Sequence, residues 1–228
     1  MPGYLNPTRE KAEEIFRTQL ERFQVEYFDY YLLHAVRSVP SYKQAYEDAG
    51  VLDFLLKQRE AGRIRNLGWS FHGDKETLEY LLSRKVYWDF ALVQLNYHDI
   101  LYEYKPQKFL LQDPSHPPAA PRWVLEQMAT TDLPLMVMEP LLGGRLARLN
   151  KKALTVLQEE RPQASAASWA FRYSGGLRNV MTVLSGMTYM EHLQDNLRTM
   201  PGRKRLRRPP LFGVPGPEER AARHCMVF

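Results

Sequence analysis

The chain has a single cysteine, Cys225, among its 228 residues. One thiol excludes an internal disulfide, and with it any iron–sulfur cluster or zinc site that one molecule would build on several thiolates. No stretch approaches the run of about 20 apolar residues that a membrane-spanning helix needs. The opening stretch MPGYLNPTRE lacks the apolar region of a secretory signal, so the expected location is cytoplasmic. An excess of one charge is also missing from most of the chain. The net charge is +5, but from Pro201 onward seven basic residues stand against two acidic ones, leaving 24 of each sign over residues 1–200. That distribution argues for a basic tail and against a nucleic-acid-binding face. What the chain does have is a hydrophobic content of 44%, an aromatic content of 12% and four tryptophans, enough for a buried core.

The first 200 residues alternate between two periodicities. Thr8 to Phe23 opens on a capping threonine and carries Ala12, Ile15, Phe16, Leu20 and Phe23 at helical spacing. FDYYLLH, Phe28 to His34, has the length and aromatic content of a strand. The alternation continues with helix Tyr42 to Ala61 closed by Gly62, strand Ile64 to Trp69, helix Asp74 to Ser83 and strand Phe90 to Leu95. A long connection from Asn96 to about Ala120 includes QDPSHPPAAP, whose four prolines in ten residues exclude helix or central strand. Helix Arg122 to Thr131, strand Leu135 to Met138, helix Ala164 to Tyr173, strand Asn179 to Leu184 and helix Tyr189 to Arg198 complete the series.

Five strands joined by helical crossovers must run parallel, which gives an α/β fold. Periodicity alone leaves a (β/α)8 barrel and an open doubly wound sheet both standing. Two regions are expected: a folded domain over residues 1–200, and a disordered, proline-rich basic tail over residues 201–228.

Five segments carry a resemblance. EYFDYYLLHAV, GRIRNLGWSFHG, WDFALVQLNYHD, LPLMVMEPLLGGRLA and VMTVLSGMTYMEHLQDNL resemble, in this order, the fourth to eighth strands of the aldo/keto reductases and the loops that follow them. They are most similar to a microbial branch that ends in an iron–sulfur-binding, ferredoxin-like tail. The resemblance implies a partial TIM barrel, (β/α)8, with chemistry at the C-terminal ends of its strands. It also implies NAD(P)H-dependent reduction of a small carbonyl substrate.

The family works with a tetrad of Asp, Tyr, Lys and His, and only the histidine matches here, as His34. The other three belong to earlier strands, so the resemblance implies a chain that starts late and is impaired on its own. For the cofactor it implies Ser70 and Gln94 as carboxamide contacts, with Phe71 where an asparagine is common. It implies Glu139, Leu141, Gly143 and Gly144 around the pyrophosphate, where glycine lets backbone N–H groups approach closely. Gly186, Met187 and Thr188 lead into the last helix, whose N-terminus suits an adenosine 2′-phosphate. Asp195 and Asn196 match adenine contacts. His192 stands where a phosphate-binding arginine is common, so NADP(H) is the implied cofactor and NAD(H) stays open.

The branch's cysteine-rich tail is not matched, so no iron–sulfur cluster is expected in this chain. A shifted reading frame beyond Met200 is one reading of that departure. Cys225-Met226-Val227-Phe228 behind a basic run also fits a prenylation box, an alternative that would bring the chain to a membrane. A barrel lacking strands should expose sheet edges, which predicts self-association or a complementing N-terminal fragment. Two functions follow: an oxidoreductase recorded from a late start, or a non-catalytic nucleotide-binding or interaction remnant.

Overall fold

The computed structural model describes residues 8–84, 87–101 and 122–200. Most of the proline-rich connection, the basic tail and Cys225 lie outside them. The described residues form two compact units that divide between Val93 and Gln94.

The first unit opens with α1, Arg9–Phe23, whose N-cap Thr8 accepts a hydrogen bond from Lys11 N. Its buried face is narrow, Ala12 and Phe16. The Phe16 ring meets Phe28, Tyr31 and Phe54 edge-on at centroid distances of 5.7, 5.3 and 5.7 Å, the arrangement that places a positive ring edge on a negative face. Strand β1, Phe28–Val36, pairs in parallel with β2, Ile64–Phe71. Strand β2 pairs in turn with β3, Phe90–Gln94. Ile64, Leu67, Trp69 and Phe71 of β2 are all buried, as expected of a central parallel strand covered on both faces.

Asp89 joins β2 to β3: one of its carboxylate oxygens accepts from Leu67 N at 2.9 Å and from Arg59 Nη1 at 3.0 Å. Helix α4, Lys75–Ser83, is capped by Asp74, which accepts from Thr77 N at 2.9 Å and from the Thr77 hydroxyl at 2.6 Å.

One expected element is three. The helix predicted over Tyr42 to Ala61 divides into α2, Val39–Tyr42, a π-helical turn over Lys43–Asp48, and α3, Val51–Glu60. Gly50 separates them at φ +66°, a left-handed conformation that glycine adopts without a Cβ clash. A lone glycine inside a helical period reads as tolerable, which is why the break was not visible in the pattern.

In the second unit Leu95 N, directly after β3, donates to Met138 O at 3.2 Å. Strand β4, Leu135–Met138, pairs in parallel with β5, Val180–Val183. Asn96 caps the short helix α5, Tyr97–Leu101, by accepting from Asp99 N at 2.8 Å. Helix α6 spans Arg122–Ala129.

Between β4 and β5 lie a 3-10 turn at Arg145–Ala147, α7 over Lys151–Glu160 and α8 over Ala166–Gly176. Helix α7 is an element the sequence reading did not include. Its buried face is just Ala153 and Leu157, which pack with Trp169 of α8. Helix α9, Met190–Thr199, ends the described chain with Tyr189, Met190 and Leu197 at least 60% exposed. Each strand is thus followed by one or two helices, and pairing within each unit is parallel. Among the described residues no helix is long and apolar enough to cross a membrane.

Candidate cofactor site

The sequence-predicted residues of the first unit collect at the C-terminal ends of β1 and β2. A bulge between Leu33 and Val36 sets one extra residue into β1, and Ala35 within it takes φ +52°. Such a bulge re-aims the neighbouring side chains, here His34, which lies exposed at the strand end. The His34 carbonyl accepts from the Tyr46 hydroxyl at 2.9 Å. Tyr46 sits in the π-helical turn, a feature that recurs near functional sites. Partial burial, aided by the Arg37 cation, holds the His34 imidazole below its ordinary pKa.

Ser70 is 2% exposed, and its hydroxyl lies 3.1 Å from His72 Nε2. His72 N is anchored to Val36 O at 2.9 Å. Burial lowers the His72 pKa, and Arg37 and His34 lower it further. Neither Tyr46 nor His72 was picked out from the sequence. His72 lies directly after the end of β2, outside the expected strand Ile64 to Trp69. Tyr46 had no signal, because the π-turn changes the helical period around it.

The second unit holds the remaining candidates. Gln94 ends β3, and its Oε1 is buried without a hydrogen-bond partner among the described residues. Trp69 Nε1 and Trp169 Nε1 share that condition, but both belong to almost wholly buried core residues. Gln94 is only half-buried and stands at a strand's C-terminal end. A buried carbonyl oxygen left unpaired costs about 1–3 kcal/mol, so its retention calls for a reason.

The turn after β4 has four left-handed residues: Glu139 at φ +53°, Leu142 at +49°, Gly143 at +61° and Gly144 at +87°. Glu139 Oε2 accepts from Gly143 N at 2.7 Å, and Leu141 O accepts from Leu146 N at 3.0 Å. A Cβ at Gly143, Gly144 or Gly186 would meet nothing within 4 Å. These glycines therefore border open space, and at the first two the positive φ is what favours glycine.

The residues leading into α9 are engaged with one another. Thr188 N donates to His192 Nδ1 at 3.3 Å, and Met187 is 46% exposed. Asp195 Oδ2 accepts from the Ser165 hydroxyl at 2.5 Å, and Asn196 Nδ2 donates to Ser185 Oγ at 2.9 Å. Both expected adenine contacts thus hold protein partners here. Among the described residues no group of three or more His, Cys, Asp or Glu side chains could hold a metal ion.

Parallel strands in the order β1-β2-β3-β4-β5, each followed by helices, define a class, the α/β proteins. The family model for the Aldo/keto reductase family matches residues 6–203, and the chain belongs to that family. No curated protein matches the chain in sequence.

Among solved structures it is similar to an aldo-keto reductase from Bacillus halodurans in its holo form. That match has a TM-score of 0.63 and 17% identity, and covers 96% of this chain and 68% of that one. An aldo/keto reductase from Klebsiella pneumoniae, solved with NADP and acetate, gives a TM-score of 0.61 and 19% identity over 94% of this chain and 65% of that one. One from Brucella melitensis gives 0.60 and 16% over 95% and 67%. This chain therefore spans about two thirds of the length of these structures. At such identities the likeness establishes the fold, five strands of a (β/α)8 barrel with their helices.

Proposed function

We propose that this chain is the cofactor-holding part of a cytoplasmic, NADP(H)-dependent oxidoreductase that acts on a small carbonyl compound. The observation that carries the reading is Gln94 Oε1, a buried acceptor without a hydrogen-bond partner among the described residues, at the C-terminal end of β3. A carboxamide N–H would satisfy it. In the first unit, Ser70 lies buried at the end of β2. Family membership and the NADP-bound Klebsiella pneumoniae relative support the choice of cofactor.

The residues present fit a dinucleotide. The open left-handed turn of Gly143 and Gly144, where Glu139 holds the Gly143 N–H, leaves room for a pyrophosphate to approach the backbone, and Leu141 stands in the same turn. Gly186, Met187 and Thr188 lead to the N-terminus of α9, where helix dipole and free amides favour a phosphate. Asp195 and Asn196 would take the adenine by exchanging their bonds to Ser165 and Ser185.

When bound, the reduced nicotinamide supplies a hydride. His34 is the one residue of the catalytic tetrad that the resemblance finds here, and its role is to orient the carbonyl oxygen by hydrogen bonding. Its lowered pKa keeps the ring neutral near pH 7, so that one ring nitrogen donates while the other accepts. Proton donation is not given to any residue of this chain.

Calorimetric titration of the full chain with NADP+ and with NAD+ tests the reading. Saturable binding of NADP+, weakened about tenfold in Gln94→Leu, is expected, since removing a hydrogen-bonded partner costs roughly 1–1.5 kcal/mol. Absence of binding, or a Gln94→Leu chain that binds equally well, would sink it.

A further inference from the structure

Ser70 has a second partner that the cofactor reading does not use. Alternation along β2 puts residue 71 on the face opposite Ser70, and His72, directly after the strand, returns to the Ser70 side. Phe71 follows that rule: it is 2% exposed, and its ring lies edge-on to Trp69 at 5.9 Å. The side chain after Ser70 is thereby turned toward the Trp69 side, and the next group on the Ser70 face is His72. Its Nε2 lies 3.1 Å from the Ser70 hydroxyl.

His72 is not free to drift from that contact. Its backbone N–H is bonded to Val36 O at 2.9 Å, at the step where Val36 is paired with Phe71. Directly after it, the backbone at Gly73 runs so close to β1 that a Cβ there would lie 2.7 Å from Arg37 O. The imidazole therefore hangs from a backbone fixed on both sides.

A serine hydroxyl has one proton and two acceptor lone pairs, and without a fixed partner it rotates to suit its surroundings. In the tautomer with its proton on Nδ1, His72 Nε2 at 3.1 Å accepts from the Ser70 hydroxyl and removes that freedom. Its two lone pairs are then all it can offer, and Ser70 is left as an acceptor only. A ligand group presenting N–H would be matched by such a serine, and one presenting an acceptor would be refused. The neutral ring that this requires is favoured by its burial and by the cations it faces, Arg37 and, when protonated, His34.

We propose that His72 is a positioning residue: it holds the Ser70 hydroxyl proton and thereby commits Ser70 to accept from the carboxamide N–H of a nicotinamide ring. This rests on the reading of Ser70 as a carboxamide contact. His72 touches neither the cofactor nor the reacting atoms and acts through Ser70. It gives the β2 end the polar orientation that Phe71, turned to the other face, does not supply.

The test uses the full chain with two ligands that differ at one group, NADP+ and its 3-acetylpyridine analogue, whose ketone carries no N–H. His72→Leu is expected to weaken NADP+ binding about tenfold and to leave the analogue unchanged, while His72→Gln, which retains an acceptor, recovers much of the loss. Ring 15N shifts of ligand-free protein are the second readout. They should show Nε2 as the unprotonated acceptor, and Ser70→Ala should shift them.

Equal loss for both ligands would make His72 a general support of the fold and overturn the proposal. So would Ser70→Ala leaving the His72 ring shifts in place. Wild-type protein that binds NADP+ with no effect of His72→Leu overturns this inference alone. Wild-type protein that binds no NADP+ overturns the cofactor reading and this inference with it.

Discussion

Gly68 is where β2 and β3 come closest, and replacing it with alanine tests whether that spacing is set by contact. A Cβ built there lies 2.4 Å from Phe90 O and 2.7 Å from two atoms of the Phe90 ring. Ordinary contact begins near 3.4 Å, so β3 must retreat by about an ångström from a strand it pairs with at Gly68–Phe90, Trp69–Ala91 and Ser70–Leu92. The nearest atom is a backbone carbonyl, which cannot rotate away as a side chain can, and the Phe90 ring also meets Tyr30 edge-on at 5.2 Å. Overpacking costs about 1–3 kcal/mol. Stretching one or two ladder bonds adds about 1 kcal/mol each, and the entropy gained on replacing glycine returns less than 1. The expected net loss is about 2–4 kcal/mol in urea-induced unfolding followed by tryptophan fluorescence. Gly62→Ala is the control: its Cβ meets nothing within 4 Å, and the cost of its φ of +74° is about 1–2 kcal/mol. Gly68→Ala as stable as wild type, or no worse than Gly62→Ala, would refute the steric argument.

Asp74→Ala removes the cap of α4 and should cost about 1 kcal/mol by urea unfolding. The Asp74 pKa is depressed by its bonds to the Thr77 hydroxyl and N–H. The cap therefore contributes fully above the unfolded-state carboxylate range near pH 4, and its contribution is lost as pH falls through the lower folded value. The wild-type advantage over Asp74→Ala should shrink on acidification; a constant difference from pH 7 to pH 2 would contradict this. Leu157→Ala empties the small core of α7 and α8 and should cost about 2–5 kcal/mol by thermal or urea unfolding. Glu139→Ala removes the acceptor of Gly143 N and should weaken NADP+ binding severalfold by calorimetry while changing stability by less than about 1 kcal/mol.

The strands and most helices were legible because their signals are local. Thr8 and Asp74 cap where a capping residue precedes an apolar period, and β2 carries Leu67, Trp69 and Phe71 where it is covered on both faces. Helix α7 was missed because its buried stripe is two residues, Ala153 and Leu157, within KKALTVLQEE, too narrow to stand out as a period. The division of the expected helix at Gly50 follows from a backbone angle that the residue permits and no pattern demands.

For the candidate site, resemblance names single residues, as at His34, Ser70 and Gln94. What supports those residues was not legible, because the partners are set by folding. Tyr46 reaches the His34 carbonyl only through the π-turn, and Ser165 reaches Asp195 across 30 residues of chain.

The most direct measurement of the cofactor assignment is a map of backbone amide shifts in the full, isotope-labelled chain as NADP+ is added. The account predicts saturable shifts at Ser70, Gln94, Gly143, Gly144, Gly186 and Asn196, with Phe23 and Tyr30 unmoved. Shifts confined to residues outside the first six, or no saturable shifts at all, would contradict it.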